Sequence, residues 1–222
     1  MKLIYILILT AIPILISCGT SSDELHHAIV SGDIDKASSL IEKGDDINTI
    51  SDDPQFEKAS PMQLALINRR DKLAKLLINS GADVHYSDGE NGITALHITV
   101  LTENIPLMDA LIEKGARVNE TVKIKEAPGY TSLHLAVRSG MVTVTGKLLK
   151  GGANINIKNA DGETPLHIAV VTGKLPLIER LIVGGADINA TDKRGFTPLH
   201  LATKLGRLQI IKMILAKNPD LS

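Results

Sequence analysis

Apolar positions along this chain fall into paired runs of helical period, divided by turns that carry glycine. In the clearest copy Leu166 and Ala169 belong to a first helix, and Leu177, Ile178, Leu181 and Ile182 follow at the spacing of a second, which ends at Gly185. Two polar-apolar blocks bracket this pair: Thr164-Pro165-Leu166-His167-Ile168-Ala169 before it and Gly185-Ala186-Asp187-Ile188-Asn189 after it. The first block begins again at Ser60, Thr94, Thr131 and Thr197, so its spacings are 34, 37, 33 and 33 residues. A period near 33 predicts stacked repeats, each burying its apolar face against a neighbour.

The chemistry of one unit follows from its residues. Thr or Ser at the block start caps a helix, and Pro in the next position suits the first helical turn. Leu25/Ala28, Leu64/Ala65, Leu96, Leu133/Ala136, Leu166/Ala169 and Leu199/Ala202 point inward. Pro106 and Pro176 both lie twelve residues after their block's Thr, at the first turn of the second helix, where Pro is tolerated. Gly44, Gly81, Gly115, Gly152 and Gly185 end the second helices, with Asn218 in the last copy. Ile47, Val84, Val118, Ile155, Ile188 and Leu221 share one register beyond these and are expected to pack beneath the turn that joins repeats.

These blocks resemble the ankyrin repeat over residues 23–222. The resemblance implies an all-α ankyrin-repeat solenoid of about six helix-turn-helix repeats linked by β-hairpin-like turns. The repeats are placed at about 23–48, 56–85, 90–119, 127–156, 160–189 and 193–222. End repeats need polar outer faces, which Lys36, Ser38 and Ser39 at one end and Lys204, Arg207, Gln209 and Lys212 at the other suit.

Two copies depart from the pattern. Copy two reads Ser60-Pro61-Met62-Gln63-Leu64-Ala65, without His, and carries Arg69 where other copies have Gly32, Gly140, Gly173 or Gly206. Copy three has Glu103 at that place. Longer linkers, 49–59 and 120–129, precede copies two and four. Repeats two and three are therefore expected to be the least stable.

Ahead of the repeats, Met1-Lys2 leads into an apolar run from Leu3 to Ile16, 14 residues long and too short to cross a bilayer, which takes about 20. Leu15-Ile16-Ser17-Cys18 resembles the bacterial lipoprotein processing site. That resemblance implies a signal peptide over 1–17, lipidation of Cys18, a polar tether over 18–22 and a membrane-held ankyrin domain over 23–222. Gly19 in place of Asp leans toward the outer rather than the inner membrane, by the same analogy. An ordinary secretory signal, with Cys18 discarded, is the other reading.

Composition narrows the chemistry. Lys and Arg total 24 against 25 Asp and Glu, a net charge of −1, which argues against a nucleic-acid partner. Hydrophobic residues make up 44% and aromatics 2%, so the core is aliphatic. One cysteine excludes an intramolecular disulfide framework and a Cys-based zinc site. His97, His134, His167 and His200, joined by His26, recur at one repeat position. Packed helices lie about 10 Å apart and metal–nitrogen bonds span about 2 Å, so neighbouring copies cannot share an ion. Each His is expected to hydrogen-bond its block to an adjoining turn. His27 is adjacent to His26 on a helix and points away from it, and His85 is read as a solvated turn residue. No nucleophile–base pair or phosphate-binding loop appears, so neither catalysis nor a cofactor is expected.

By family resemblance, partners bind along the turn tips and the first-helix face. Positions that vary among copies mark that surface: Glu90/Asn91, Ala127/Pro128, Ala160/Asp161 and Lys193/Arg194 at the tips, with Arg138/Ser139, Val171/Thr172 and Lys204/Leu205 on the helices. Beyond the leader the aromatics are Phe56, Tyr86, Tyr130 and Phe196, all in linkers or turns. Tyr130, Arg138, Arg194 and Phe196 are proposed as the contact centre, with Lys193 and Lys204 beside them. The alternative is that both rings pack on their own hairpins. The expected function is protein binding by a monomer anchored in a bacterial envelope as an adaptor or scaffold. A secreted or surface effector binding a host protein is a second reading, and a ligand or metal sensor a third.

Overall fold

The computed structural model describes residues 23–50 and 58–217; the leader, Cys18, Phe56, Asn218 and Leu221 lie outside them. Among the described residues the fold is all-α, twelve helices of seven to nine residues with no strand beyond two isolated antiparallel bridges. They are α1 (Glu24–Ser31), α2 (Ile34–Glu42), α3 (Pro61–Ile67), α4 (Asp71–Asn79), α5 (Ala95–Leu101), α6 (Ile105–Glu113), α7 (Ser132–Ser139), α8 (Val142–Lys150), α9 (Pro165–Thr172), α10 (Leu175–Val183), α11 (Pro198–Lys204) and α12 (Leu208–Leu215). None is long and apolar enough to cross a membrane.

The chain divides into two compact units, Met1–Arg117 and Val118–Ser222, each holding three helix pairs. Within each unit every first helix packs on its own partner and on the next first helix, while second helices pack on one another, so each unit has two layers. The first-helix layer is closed by small residues: Ala65, Ala136, Ala169 and Ala202 are fully buried. Copy three places Thr99 at this register, and its hydroxyl donates to the Leu96 carbonyl at 2.9 Å, which lets a polar side chain occupy an apolar position.

Each block start builds a reciprocal cap. In copy four the Thr131 N–H donates to His134 Nδ1 at 3.2 Å, and the His134 N–H reaches back to Thr131 Oγ1 at 3.5 Å. The same pairing joins Thr94 with His97 and Thr197 with His200. Between the two helices of each pair one residue takes left-handed backbone: Gly32, Arg69, Glu103, Gly140, Gly173 and Gly206, with φ from 54° to 86°. Arg69 and Glu103, at 54° and 56°, carry the steric cost that glycine avoids.

The shared register after the second helix differs from expectation. Val84 is buried, but Ile47, Val118, Ile155 and Ile188 are only half-buried. The burial there belongs to Ala82, Ala116, Ala153 and Ala186 instead. The left-handed glycine one place before each alanine turns that alanine toward the core. The linker 120–129 forms an ordered hairpin: Val122 donates to the Tyr130 carbonyl at 2.8 Å, Thr121 bridges Thr131, and Val122 and Ala127 are buried.

Candidate protein-binding surface

Two turn tips of the second unit are each built around one Asx residue, Asn159 and Asp192. Asp192 Oδ1 accepts from the Arg194 N–H at 2.8 Å and the Phe196 N–H at 2.9 Å, while Oδ2 accepts from Arg194 Nε and Nη2 at 3.0 and 2.7 Å. Burial works against ionisation of Asp192, but the Arg194 guanidinium and the two backbone N–H groups outweigh it and hold the carboxyl below its ordinary range. Asn159 does the same work one repeat earlier, accepting from the Asp161 and Glu163 N–H groups at 2.9 and 2.8 Å. Adjacent tips are joined main chain to main chain: Ala160 N–H donates to the Pro128 carbonyl at 3.0 Å, and Lys193 N–H to the Asp161 carbonyl at 2.9 Å. This approach is close enough to require glycine, since a Cβ on Gly129 would stand 2.6 Å from Ala160 N and one on Gly162 would stand 2.8 Å from Lys193 N.

The six sequence-marked residues form two groups. Tyr130 is only 8% exposed; its ring centre lies 5.3 Å from that of His134, with the Arg138 guanidinium 5.5 Å above it. Arg138 Nη1 also donates to the Glu126 carbonyl at 3.2 Å, which ties the long hairpin to α7. Two repeats on, half-buried Phe196 carries Arg194 at 5.4 Å and Lys204 at 5.2 Å, with Lys193 exposed at the adjoining tip. Tyr130 thus packs on its own hairpin and helix, and it is Arg138 above it that meets solvent. At about 10 Å per repeat the two groups stand about 20 Å apart, as two cation-covered rings rather than one centre.

Two of the repeat histidines, His134 and His167, bond to the next repeat as expected. His134 Nε2 donates to the Glu163 carbonyl at 3.2 Å and His167 Nε2 to the Phe196 carbonyl at 3.0 Å; the N–H on Nε2 is assigned because Nδ1 accepts from the cap. Burial lowers the His134 pKa to about 4 and lowers that of His167. His27 is half-buried, its Nδ1 2.9 Å from the Asp23 carbonyl, and His85 is exposed. Among the described residues no group of three or more His, Cys, Asp or Glu is placed to hold a metal ion.

Two features lie outside the residues marked from the sequence. Gln63 takes the His role in copy two: it accepts from the Ser60 N–H at 3.0 Å and donates to the Ile93 carbonyl at 2.7 Å. A basic residue ten places after the block start also covers the preceding left-handed turn: Arg70 on Gly32, Lys174 on Gly140 and Arg207 on Gly173. Arg70 donates to the Val30 carbonyl at 2.8 Å, capping the end of α1. Their constant phase in the repeat was the available signal.

A family model described as "Ankyrin repeats (3 copies)" matches residues 62–159 and 133–222, most of the chain. The chain belongs to the ankyrin-repeat family. A solved ankyrin repeat domain from Acinetobacter baumannii AYE superposes with a TM-score of 0.81 over 90% of this chain and 100% of that one, at 24% identity, which speaks for the fold. The nuclear factor NF-kappa-B p105 subunit of Gallus gallus is 34% identical over 131 residues, 59% of this chain and 13% of that protein. The putative ankyrin repeat protein FPV031 of fowlpox virus is 34% identical over 127 residues, 55% of this chain and 35% of its own. The palmitoyltransferase AKR1 of Lachancea kluyveri is 31% identical over 117 residues, 53% of this chain and 15% of its own. The chain therefore spans about a third or less of these relatives' lengths. Ankyrin repeats are in general non-catalytic protein-interaction modules, and a relative named as an enzyme carries them beside other sequence.

Proposed function

We propose that this chain is a non-catalytic protein-binding module, held in a bacterial envelope by a lipid on Cys18 and acting as a monomeric adaptor or scaffold. The observation that carries the binding reading is the division of labour at the tips. Main-chain bonds such as Lys193 N–H to the Asp161 carbonyl hold the stack, while Ala160, Asp161, Lys193 and Arg194 present exposed side chains that differ between copies. Arg138, Lys193, Arg194, Phe196 and Lys204 are the proposed contact residues, and Tyr130 supports Arg138 from beneath. The anchor rests on the Leu15-Ile16-Ser17-Cys18 junction after an apolar run, with the outer membrane favoured by Gly19. Several acyl chains together give a stable hold where one holds only marginally.

The mass of the N-terminal peptide recovered from native cells tests the anchor. An acylated peptide beginning at Cys18 is the expected result, and an intact Met1 would remove the export reading. Photo-cross-linking from positions 193 and 138 tests the binding face; adducts from both are expected, and their absence at both overturns it.

A further inference from the structure

The net charge of −1 conceals a division along the chain. Residues 1–117 hold 10 Lys and Arg against 17 Asp and Glu, a net −7; residues 118–222 hold 14 against 8, a net +6. The boundary is the one between the two structural units. In the basic unit the first helices and the turns after them carry no acidic residue at all: 131–141, 164–174 and 197–207 contain only neutral side chains and cations.

The cations there sit at one end of the first-helix layer. Arg138 is in the last turn of α7, Lys174 follows α9, Lys204 ends α11 and Arg207 precedes α12. Lys174 and Arg207 each lie along the preceding repeat's glycine turn, at Gly140 and Gly173. Helix C-termini favour positive charge, so the fold accommodates the cluster with no carboxylate on the same helices. Among these cations Val171, Leu205 and Leu208 are 44%, 46% and 63% exposed. A single exposed aliphatic residue is ordinary; three set among four cations form a surface with two kinds of affinity.

We propose that this face takes an acidic segment of a partner protein, with apolar side chains set between its carboxylates. The proposal rests on the protein-binding reading and names the chemistry of the partner. Three first-helix ends at about 10 Å spacing cover about 20 Å, the reach of about six extended residues. Carboxylates would meet Arg138, Lys174, Lys204 and Arg207, and aliphatic side chains would meet Val171 and Leu205. A nucleic acid would match the charge alone, since the exposed apolar residues are aliphatic and offer no ring for a base to stack on. A membrane interface would call for a continuous apolar face, and here the exposed aliphatics are three separate residues set between cations.

The test is fluorescence anisotropy on the full-length chain with a labelled peptide carrying two Leu among Glu residues. Comparison probes are the same peptide with Lys for Glu, double-stranded DNA, and phosphatidylglycerol vesicles. The Glu–Leu peptide is expected to bind best and to weaken with salt. Lys174→Glu with Lys204→Glu, and separately Val171→Ser with Leu205→Ser, are each expected to weaken it by about tenfold; the serine pair leaves the melting temperature unchanged, and the charge reversal lowers it by a few degrees at most, because it places carboxylates at helix C-termini. Equal binding of the Lys peptide, tighter binding of DNA or vesicles, or unchanged affinity in either variant overturns the proposal. So does a low-salt dimer, seen by sedimentation, that the charge reversal dissolves, because the occupant would then be the acidic half of a second copy. If a protein still cross-links at 193 while both variants retain it, protein binding stands and this proposal fails. If nothing cross-links at any position, the binding reading itself fails.

Discussion

The side-chain amide of Gln63 donates to the backbone carbonyl of Ile93, in the next repeat, at 2.7 Å. Gln presents one acceptor and one donor at the separation that a neutral imidazole does, so it caps its own helix and reaches the next turn at once. The repeat needs that pair of bonds and not histidine as such. Copy two is therefore not weakened by its missing His, and one of the grounds for expecting repeats two and three to be weak disappears.

The same equivalence gives a pH prediction. His134 is buried neutral, with its pKa lowered to about 4 from 6.5 by burial. Between those values the unfolded chain binds a proton that the folded chain does not, so stability falls as pH falls. At pH 4 the loss at this one site is about 3 kcal/mol. Changing His134→Gln should keep the cap and the bond to Glu163 while flattening that part of the curve. Urea melts at pH 7 and pH 4.5 check this: a variant with unaltered pH dependence would show that His134 is not the titrating group.

The ground in the left-handed turns remains. Arg69 and Glu103 hold φ values of 54° and 56°, where four companion positions have glycine. Replacing either by Gly should stabilise the chain by about 1 kcal/mol, the left-handed penalty less part of glycine's added entropy in the unfolded chain. Amide exchange should run faster over 60–119 than over 160–200, and Arg69→Gly should slow it in α3 and α4. Equal protection of the two stretches would show that these strained turns are offset elsewhere.

Ser132 stands where Pro61, Pro165 and Pro198 stand in other copies, and its hydroxyl is buried without a hydrogen-bond partner. Thr131 before it is already extended, at φ −94° and ψ 171°, as a residue preceding Pro must be. Ser132→Pro should stabilise the fold by about 1 kcal/mol, through a stiffer unfolded chain and removal of the orphaned hydroxyl. Thermal unfolding of the variant checks it, and a lower melting temperature would mean that the ring clashes with its surroundings.

Tyr130 and Arg138 should separate cleanly. Tyr130→Ala empties a buried site and should cost about 3 kcal/mol, as large aromatic truncations do. Arg138→Ala should cost only about 1 kcal/mol, for the lost hydrogen bond to Glu126 and the ring contact, and lower partner capture. A Tyr130→Ala protein of unchanged stability would return the ring to the contact surface.

Much of this fold was legible because the repeat states each local rule several times. Five block starts fix five caps, and the positions of Gly32, Gly140, Gly173 and Gly206 reveal the left-handed turn that Arg69 and Glu103 must also adopt. Interactions that depend on side-chain direction were not legible. The ring of Tyr130 turns inward, and Arg138 and Lys204 fold back over aromatic faces, none of which follows from phase in the repeat. The register of Ile155 and Ile188 was visible, but not that Ala153 and Ala186 would take the burial, since turn curvature decides which side chain reaches the core. The charge division lay in the sequence throughout and vanished when the whole chain was summed.

The tip-to-tip bonds carry a consequence for how such a protein changes over time. Ala160 and Lys193 contribute their N–H groups to the stack, and Pro128 and Asp161 their carbonyls. Any residue but proline supplies an N–H, and every residue supplies a carbonyl. Substitution at 160, 161 or 193 can therefore alter what the surface recognises while the bonds that order it persist. The glycines at 129 and 162 have no such freedom, because the close approach of the next tip depends on them. Recognition can drift at these tips while the scaffold is inherited intact.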